Sequence, residues 1–174
     1  RGAKEGSTTR VGDNTMLMAF AHLGHNCQIG RNVVVANASL LSGHVTVGDR
    51  AFISGDVLVH QFVRIGTLAM IGGGGRVPQD VPPYCMLVLG EVHGVNSVGV
   101  KRAGLRSDER RALRSAIRLL YFTGLNRSTA AKQMRDESPD VPSVQELATF
   151  VENSKRGIMP GKTSPTGAKR QSPR

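Results

Sequence analysis

Tryptophan is absent from the 174 residues, tyrosine occurs twice and phenylalanine five times, so the core must be built from aliphatic side chains. So few rings also leave little on which nucleic-acid bases could stack. The two cysteines, Cys27 and Cys85, stand far apart with no Cys-x-x-Cys pair, which excludes a disulfide framework and a zinc knuckle. No apolar run approaches the about 20 residues of a membrane span and no signal peptide is legible, so a cytoplasmic protein is expected. Acidic residues are missing from 155–174, where Lys155, Arg156, Lys162, Lys169, Arg170 and Arg174 supply six of the ten net positive charges. Rich in Gly, Pro, Ser and Thr, the end of this stretch reads as a disordered basic tail over 159–174 and not as a nucleic-acid arm.

What is present is a period. From Val11 an aliphatic residue recurs at every sixth position for twelve hits, through Leu17, Leu23, Ile29, Val35, Leu41, Val47, Ile53, Val59, Ile65 and Ile71 to Val77. A helix repeats its buried face near every third and fourth residue and a strand every second, so this clock indicates a coil with flat sides, a hexapeptide-repeat β-solenoid. The residue after each aliphatic is mostly small, as at Gly12, Gly24, Gly30 and Gly48, which suits a tight corner. Three hexads make a triangular coil, so the repeat gives about four coils rising ~4.8 Å each, with residues 18 apart in one column. The chain opens at Arg1 in mid-pattern and is expected to lack earlier coils.

The solenoid is expected over 1–84, ending in the proline-stiffened Asp80-Val-Pro-Pro-Tyr84, followed by a connecting loop over 85–106 and a helical cap over 107–158. In the cap, Ser107 is the expected N-cap of a helix that Gly124 stops, with Leu113, Ala116, Ile117, Leu120 and Tyr121 on its apolar face. Further helices are expected from Ser128 to about Asp136 and from Ser143 to about Ser154.

Four of the five histidines, His22, His25, His44 and His60, fall inside the repeat. The 18-residue column places His25, Gly43 and Gln61 one above another, with His44 and His60 beside them. A metal site is disfavoured, because His22 and His25 are an odd number of residues apart and a strand would turn them to opposite faces. Acyl transfer fits better: an imidazole can deprotonate an attacking hydroxyl, and a glycine N–H, open to close approach, can hold the oxyanion.

Ala21-His22-Leu23-Gly24-His25-Asn26-Cys27, Gly43-His44-Val45, Val59-His60-Gln61-Phe62, Gln79-Asp80-Val-Pro-Pro-Tyr84, Gly94-Val95-Asn96, Lys101-Arg102-Ala103-Gly104 and Ser154-Lys-Arg-Gly-Ile158 occur in this order. Together they closely resemble the carboxy-terminal two-thirds of the acyl-carrier-protein-dependent UDP-N-acetylglucosamine O-acyltransferases that begin lipid A synthesis. The resemblance implies an all-β left-handed parallel β-helix with a small C-terminal α-helical domain, assembled as a homotrimer with sites between subunits. It implies His25 as general base and Gly43 as oxyanion donor, with acyl carrier protein and UDP-N-acetylglucosamine as partners and no cofactor or metal. His22, His44, His60 and Gln61 would line the sugar and acyl sites, Asn96 and Arg102 would lie toward the nucleotide and acyl chain, and Gly73 would limit acyl length. Arg110, Arg114 and Arg118 at four-residue spacing would form a basic stripe for the acidic carrier.

Three positions depart from the family pattern: Asn26 where Asp is usual, Val98 where Glu is common, and Ala103 where a second Arg is usual. They keep open a degenerate trimeric scaffold that has lost turnover, and an acyltransferase acting on an amino-sugar amine is a further alternative.

Overall fold

The structure is a computed structural model and describes residues 6–162. Twelve two-residue strands recur every six residues. They are β1 (Arg10–Val11), β2 (Met16–Leu17), β3 (His22–Leu23), β4 (Gln28–Ile29), β5 (Val34–Val35), β6 (Leu40–Leu41), β7 (Thr46–Val47), β8 (Phe52–Ile53), β9 (Leu58–Val59), β10 (Arg64–Ile65), β11 (Met70–Ile71) and β12 (Arg76–Val77). Every third strand pairs in parallel, giving three faces: β1-β4-β7-β10, β2-β5-β8-β11 and β3-β6-β9-β12. The offset is constant, with Gln28 opposite Thr46, Val34 opposite Phe52 and Leu40 opposite Leu58. This is a β-solenoid of about four turns.

Each hexad sends two side chains inward. The second strand residue does so, as at Ile29, Val35 and Leu41, and so does the residue two places earlier, as at Cys27, Val33 and Ser39. The buried hydroxyl of Ser39 is paired on both sides, donating to Ser54 O at 2.6 Å and accepting from Val57 N at 3.1 Å.

The corners turn for a different reason from the one the small residues suggest. The left-handed residue lies three places after each inward aliphatic, at Asn14, Phe20, Asn26, Asn32, Ala38, His44, Arg50, Asp56, Phe62 and Leu68, with φ from 54° to 65°. A non-glycine residue there costs roughly 1–2 kcal/mol. A repeated bond to the preceding coil offsets part of it: His44 N donates to His25 O at 2.9 Å, and Phe62 N to Gly43 O at 3.1 Å. The small residues answer to the next coil, since a Cβ on Gly24 would stand 2.7 Å from Gly43 N and one on Gly48 2.5 Å from Thr67 N.

Past Val77 the coil continues in shortened register. Val81 bridges to Ile65, and β13 (Cys85–Val88) adds to β11 with Met86 opposite Met70, an offset of 16 instead of 18. The segment 85–106, expected as a loop, is thus largely regular. It holds β13, its antiparallel partner β14 (Glu91–Val95) and helix α1 (Ser97–Arg102). Two of its four glycines mark the hairpin tip and the helix end: Leu89 and Gly90 both have positive φ, and Gly104 follows α1.

The cap comprises α2 (Ser107–Phe122), α3 (Arg127–Glu137) and α4 (Pro142–Glu152). Leu113, Ala116, Ile117 and Leu120 are buried as the spacing predicts. Ser107 is the first helical residue and not the cap; Arg106 holds that position without a side-chain bond, while Asn126 caps α3 through Thr129 N. A buried carboxylate joins cap to solenoid. Asp80 Oδ1 accepts from Arg64 N and Oδ2 from Ser154 Oγ, both at 2.8 Å, and Asp80 backbone pairs with Gly157 and Met159. Tyr84 Oη adds a bond to Glu146, and burial with this carboxylate pushes its phenol well above the ordinary range. The expected tail over 159–174 is ordered as far as Lys162, where Val92 pairs with Pro160 and Lys162; from 163 it lies outside the described residues.

Candidate active site

The corner between the β3-β6-β9-β12 face and the β1-β4-β7-β10 face carries the stacked column. A Cβ on Gly43 would stand 2.6 Å from His25 Nε2 and 2.7 Å from Cε1, so the imidazole lies directly on the glycine one coil above it. At the other ring nitrogen, Nδ1 is 3.0 Å from Asn26 Oδ1. The amide oxygen only accepts, so Nδ1 carries the proton and the Nε2 lone pair is left for a ligand. Asn26 thus orients the ring as a carboxylate would, but without charge. Among the described residues the Gly43 N–H donates to no group. A proton acceptor and an unspent donor therefore sit side by side.

Beside this column runs a second one of left-handed corner residues, Asn26, His44 and Phe62. His44 meets His25 edge-on at 5.1 Å between centroids and stacks on Phe62 at 4.7 Å. Phe62, 18 residues beyond His44, belongs to the same column by the spacing alone. His60 lies at the same corner and, with Leu40, Ser42, Leu58, Arg76 and Pro78, lines a groove of about 350 Å³. His22 projects from the same face, paired with Leu40. Gln61 is exposed and follows His60 at the corner.

The remaining candidates stand elsewhere on the chain. Gly73 belongs to the corner after β11, where a Cβ would come 2.9 Å from Gly55 O. Asn96 and Arg102 line a larger pocket of about 670 Å³ over the outer side of β8 and β11, with Phe52, Met70 and Arg50. Asn96 is partly committed to structure: its Nδ2 donates to Leu68 O at 2.9 Å and its Oδ1 caps α1 at Gly99 N at 3.0 Å. Val98 and Ala103 also face this pocket, and no Asp or Glu lines it. Arg50, which no motif marks, stands 18 residues beyond Asn32 in the same pocket wall.

A hexapeptide-repeat protein with a histidine–glycine column on one corner is the class these features define. Comparison with known proteins narrows it. The bacterial transferase hexapeptide model matches residues 8–43, and the second domain of the UDP N-acetylglucosamine O-acyltransferase model matches 80–159. The acyl-(acyl-carrier-protein)–UDP-N-acetylglucosamine O-acyltransferase of Syntrophobacter fumaroxidans is 48% identical over 164 residues, covering 91% of this chain and 63% of that protein. The UDP-N-acetylglucosamine acyltransferase structure from Bacteroides fragilis superposes with a TM-score of 0.88 at 35% identity, over 91% of this chain and 63% of that one. The Arabidopsis enzyme superposes with a TM-score of 0.85 at 35% identity, over 91% and 59%. The chain belongs to the UDP-N-acetylglucosamine O-acyltransferase family, and it spans a little under two-thirds of the length of these relatives. Among the described residues no helix is long and apolar enough to cross a membrane.

Proposed function

We propose that the protein moves a 3-hydroxyacyl group from acyl carrier protein to the 3-hydroxyl of UDP-N-acetylglucosamine. The observation that carries this is the His25 imidazole seated on Gly43 with Nδ1 held by Asn26. His25 Nε2 takes the hydroxyl proton as the oxygen attacks the thioester carbonyl carbon. The tetrahedral oxyanion accepts from Gly43 N–H. Collapse breaks the carbon–sulfur bond, and the imidazolium returns its proton to the departing thiolate of the carrier.

One chain does not gather all the groups this requires. His25 lies on one corner of the prism, Gly73 on another, and Asn96 and Arg102 on the face between the other two corners. A second copy could bring its Arg50–Arg102 pocket against the His25 corner, which supports a homotrimer with sites between subunits. The pocket's two guanidinium groups and missing carboxylates suit the phosphates of a sugar nucleotide. Val98 and Ala103 leave part of that wall apolar, the observation that favours a scaffold. Replacing His25 by Ala separates the two readings. The enzyme loses ~10²- to 10⁴-fold in kcat with the assembly intact, whereas a scaffold shows no transfer by mass spectrometry in parent or variant.

A further inference from the structure

The residue nearest in kind to a missing piece of this site comes from the far end of the chain. Arg156 follows α4 and folds back on the solenoid exit. There Gln79 Nε2 donates to Arg156 O at 3.3 Å, Asp80 N to Gly157 O at 3.0 Å and Met159 N to Asp80 O at 2.9 Å. The guanidinium reaches the histidine corner, where Nε and Nη2 donate to Pro78 O at 3.3 and 3.1 Å, and Nη2 also stands 3.1 Å from His60 Nδ1.

His60 Nδ1 has a second neighbour, Gln61 O, at 3.2 Å. The two demand opposite protonation of one atom. A carbonyl oxygen only accepts and asks for a proton on Nδ1, while a guanidinium only donates and asks for the lone pair. Magnitude decides between them. A hydrogen bond involving a charged group contributes about 1.5–3 kcal/mol, a neutral one about 0.5–1.5. Gln61 is an exposed residue, and the Arg156 guanidinium donates to Pro78 O whichever tautomer His60 adopts.

We infer that Arg156 is a positioning residue that holds His60 with its proton on Nε2, so that this histidine donates to an acceptor oxygen of the bound acyl acceptor. The two histidines of the corner then do opposite work. Asn26 keeps the Nε2 lone pair of His25 free for a proton, and Arg156 keeps the Nε2–H of His60 for an oxygen. The kinetic consequence rests on the proposed acyltransferase activity; the tautomer does not.

The test is ¹⁵N NMR of the ring-labelled full chain, with the His60 signals identified by their loss in His60→Asn. In the parent the protonated-type shift is expected on Nε2 of His60. Arg156→Ala should move the population toward the Nδ1 proton that Gln61 O favours, and Arg156→Lys, which retains a cationic donor, should restore much of the parent pattern. In the same preparations Arg156→Ala should raise KM for UDP-N-acetylglucosamine about tenfold, the loss of one hydrogen bond, with kcat within threefold. An Nδ1 proton in the parent, or the same tautomer in parent and Arg156→Ala, overturns the inference, as does a tautomer shift that leaves KM unchanged. A parent with no acyl transfer would refute the proposed activity, and the tautomer comparison would still judge Arg156.

Discussion

Gly43→Ala adds a single methyl group at a position whose backbone does not require glycine, since Gly43 is not among the residues with positive φ. Any effect must therefore come from what the methyl touches. The new carbon would stand 2.6 Å from His25 Nε2, 2.7 Å from Cε1 and 3.1 Å from Cδ2. Comfortable separation of such atoms is about 3.5–4.0 Å, so the ring must retreat by about 1 Å. The obstructing atoms are the tip of a side chain at an exposed corner, so the ring rotates away and the coil stays. A displacement of about 1 Å in a catalytic group costs on the order of 100-fold in rate, and the methyl also crowds the approach to the Gly43 N–H. The expected result is kcat lowered about 100-fold or more, with the melting temperature within a few degrees of the parent. Steady-state transfer from a 3-hydroxyacyl carrier protein and a thermal melt measure the two sides. Turnover within threefold of the parent would refute both the contact and the roles built on it.

Gly73→Met presses its Cβ to 2.9 Å from Gly55 O, so the coil must give and a thermal melt has to show the variant still folded. In the folded variant donor preference should shift toward shorter acyl chains in a competition of donors of different length, and an unchanged profile removes Gly73 from the acyl groove. Arg114→Glu with Arg118→Glu should raise the apparent KM for acyl carrier protein, an effect that fades with salt as exposed charges are screened beyond ~8 Å. KM for UDP-N-acetylglucosamine should stay unchanged, and equal losses for both substrates would indicate misfolding instead. Asp80→Ala strands the Arg64 N–H and the Ser154 hydroxyl at a buried site. It should cost about 3 kcal/mol of stability in denaturant unfolding, and a loss under 1 kcal/mol would show that the carboxylate is dispensable.

The column of His25 under Gly43 could be read from the sequence because every coil repeats the same offset, which turns arithmetic into geometry. That regularity fails at Pro78–Tyr84, where the offset shortens to 16, and the hairpin beyond it was missed for the same reason. Its strands are short, its pairing slips between Met86 and Leu87, and its glycines resemble those of a loop. Along α2 the arginines are spread more widely than a four-residue step implies. Arg110 is half-buried, and Arg111 joins Arg114 and Arg118 along a shallow pocket, because a four-residue step drifts around a helix and alternating steps of three and four do not. Arg156 could not be found by any local pattern, since 96 residues separate it from His60 and only the fold of the cap returns it.

The fixed offset between coils gives the molecule a phase, and the core and the site respond to errors in it differently. Six residues inserted between Gly43 and His60 would keep every inward aliphatic inward and every strand on a face. The same insertion would carry His60 and Gln61 a third of a turn onto the next edge, away from His25. An insertion of eighteen would restore the edge but lift them one rung. The inward aliphatic core tolerates such slips better than the corners do, since the close-fitting glycines and the histidine column both depend on which residues lie 18 apart.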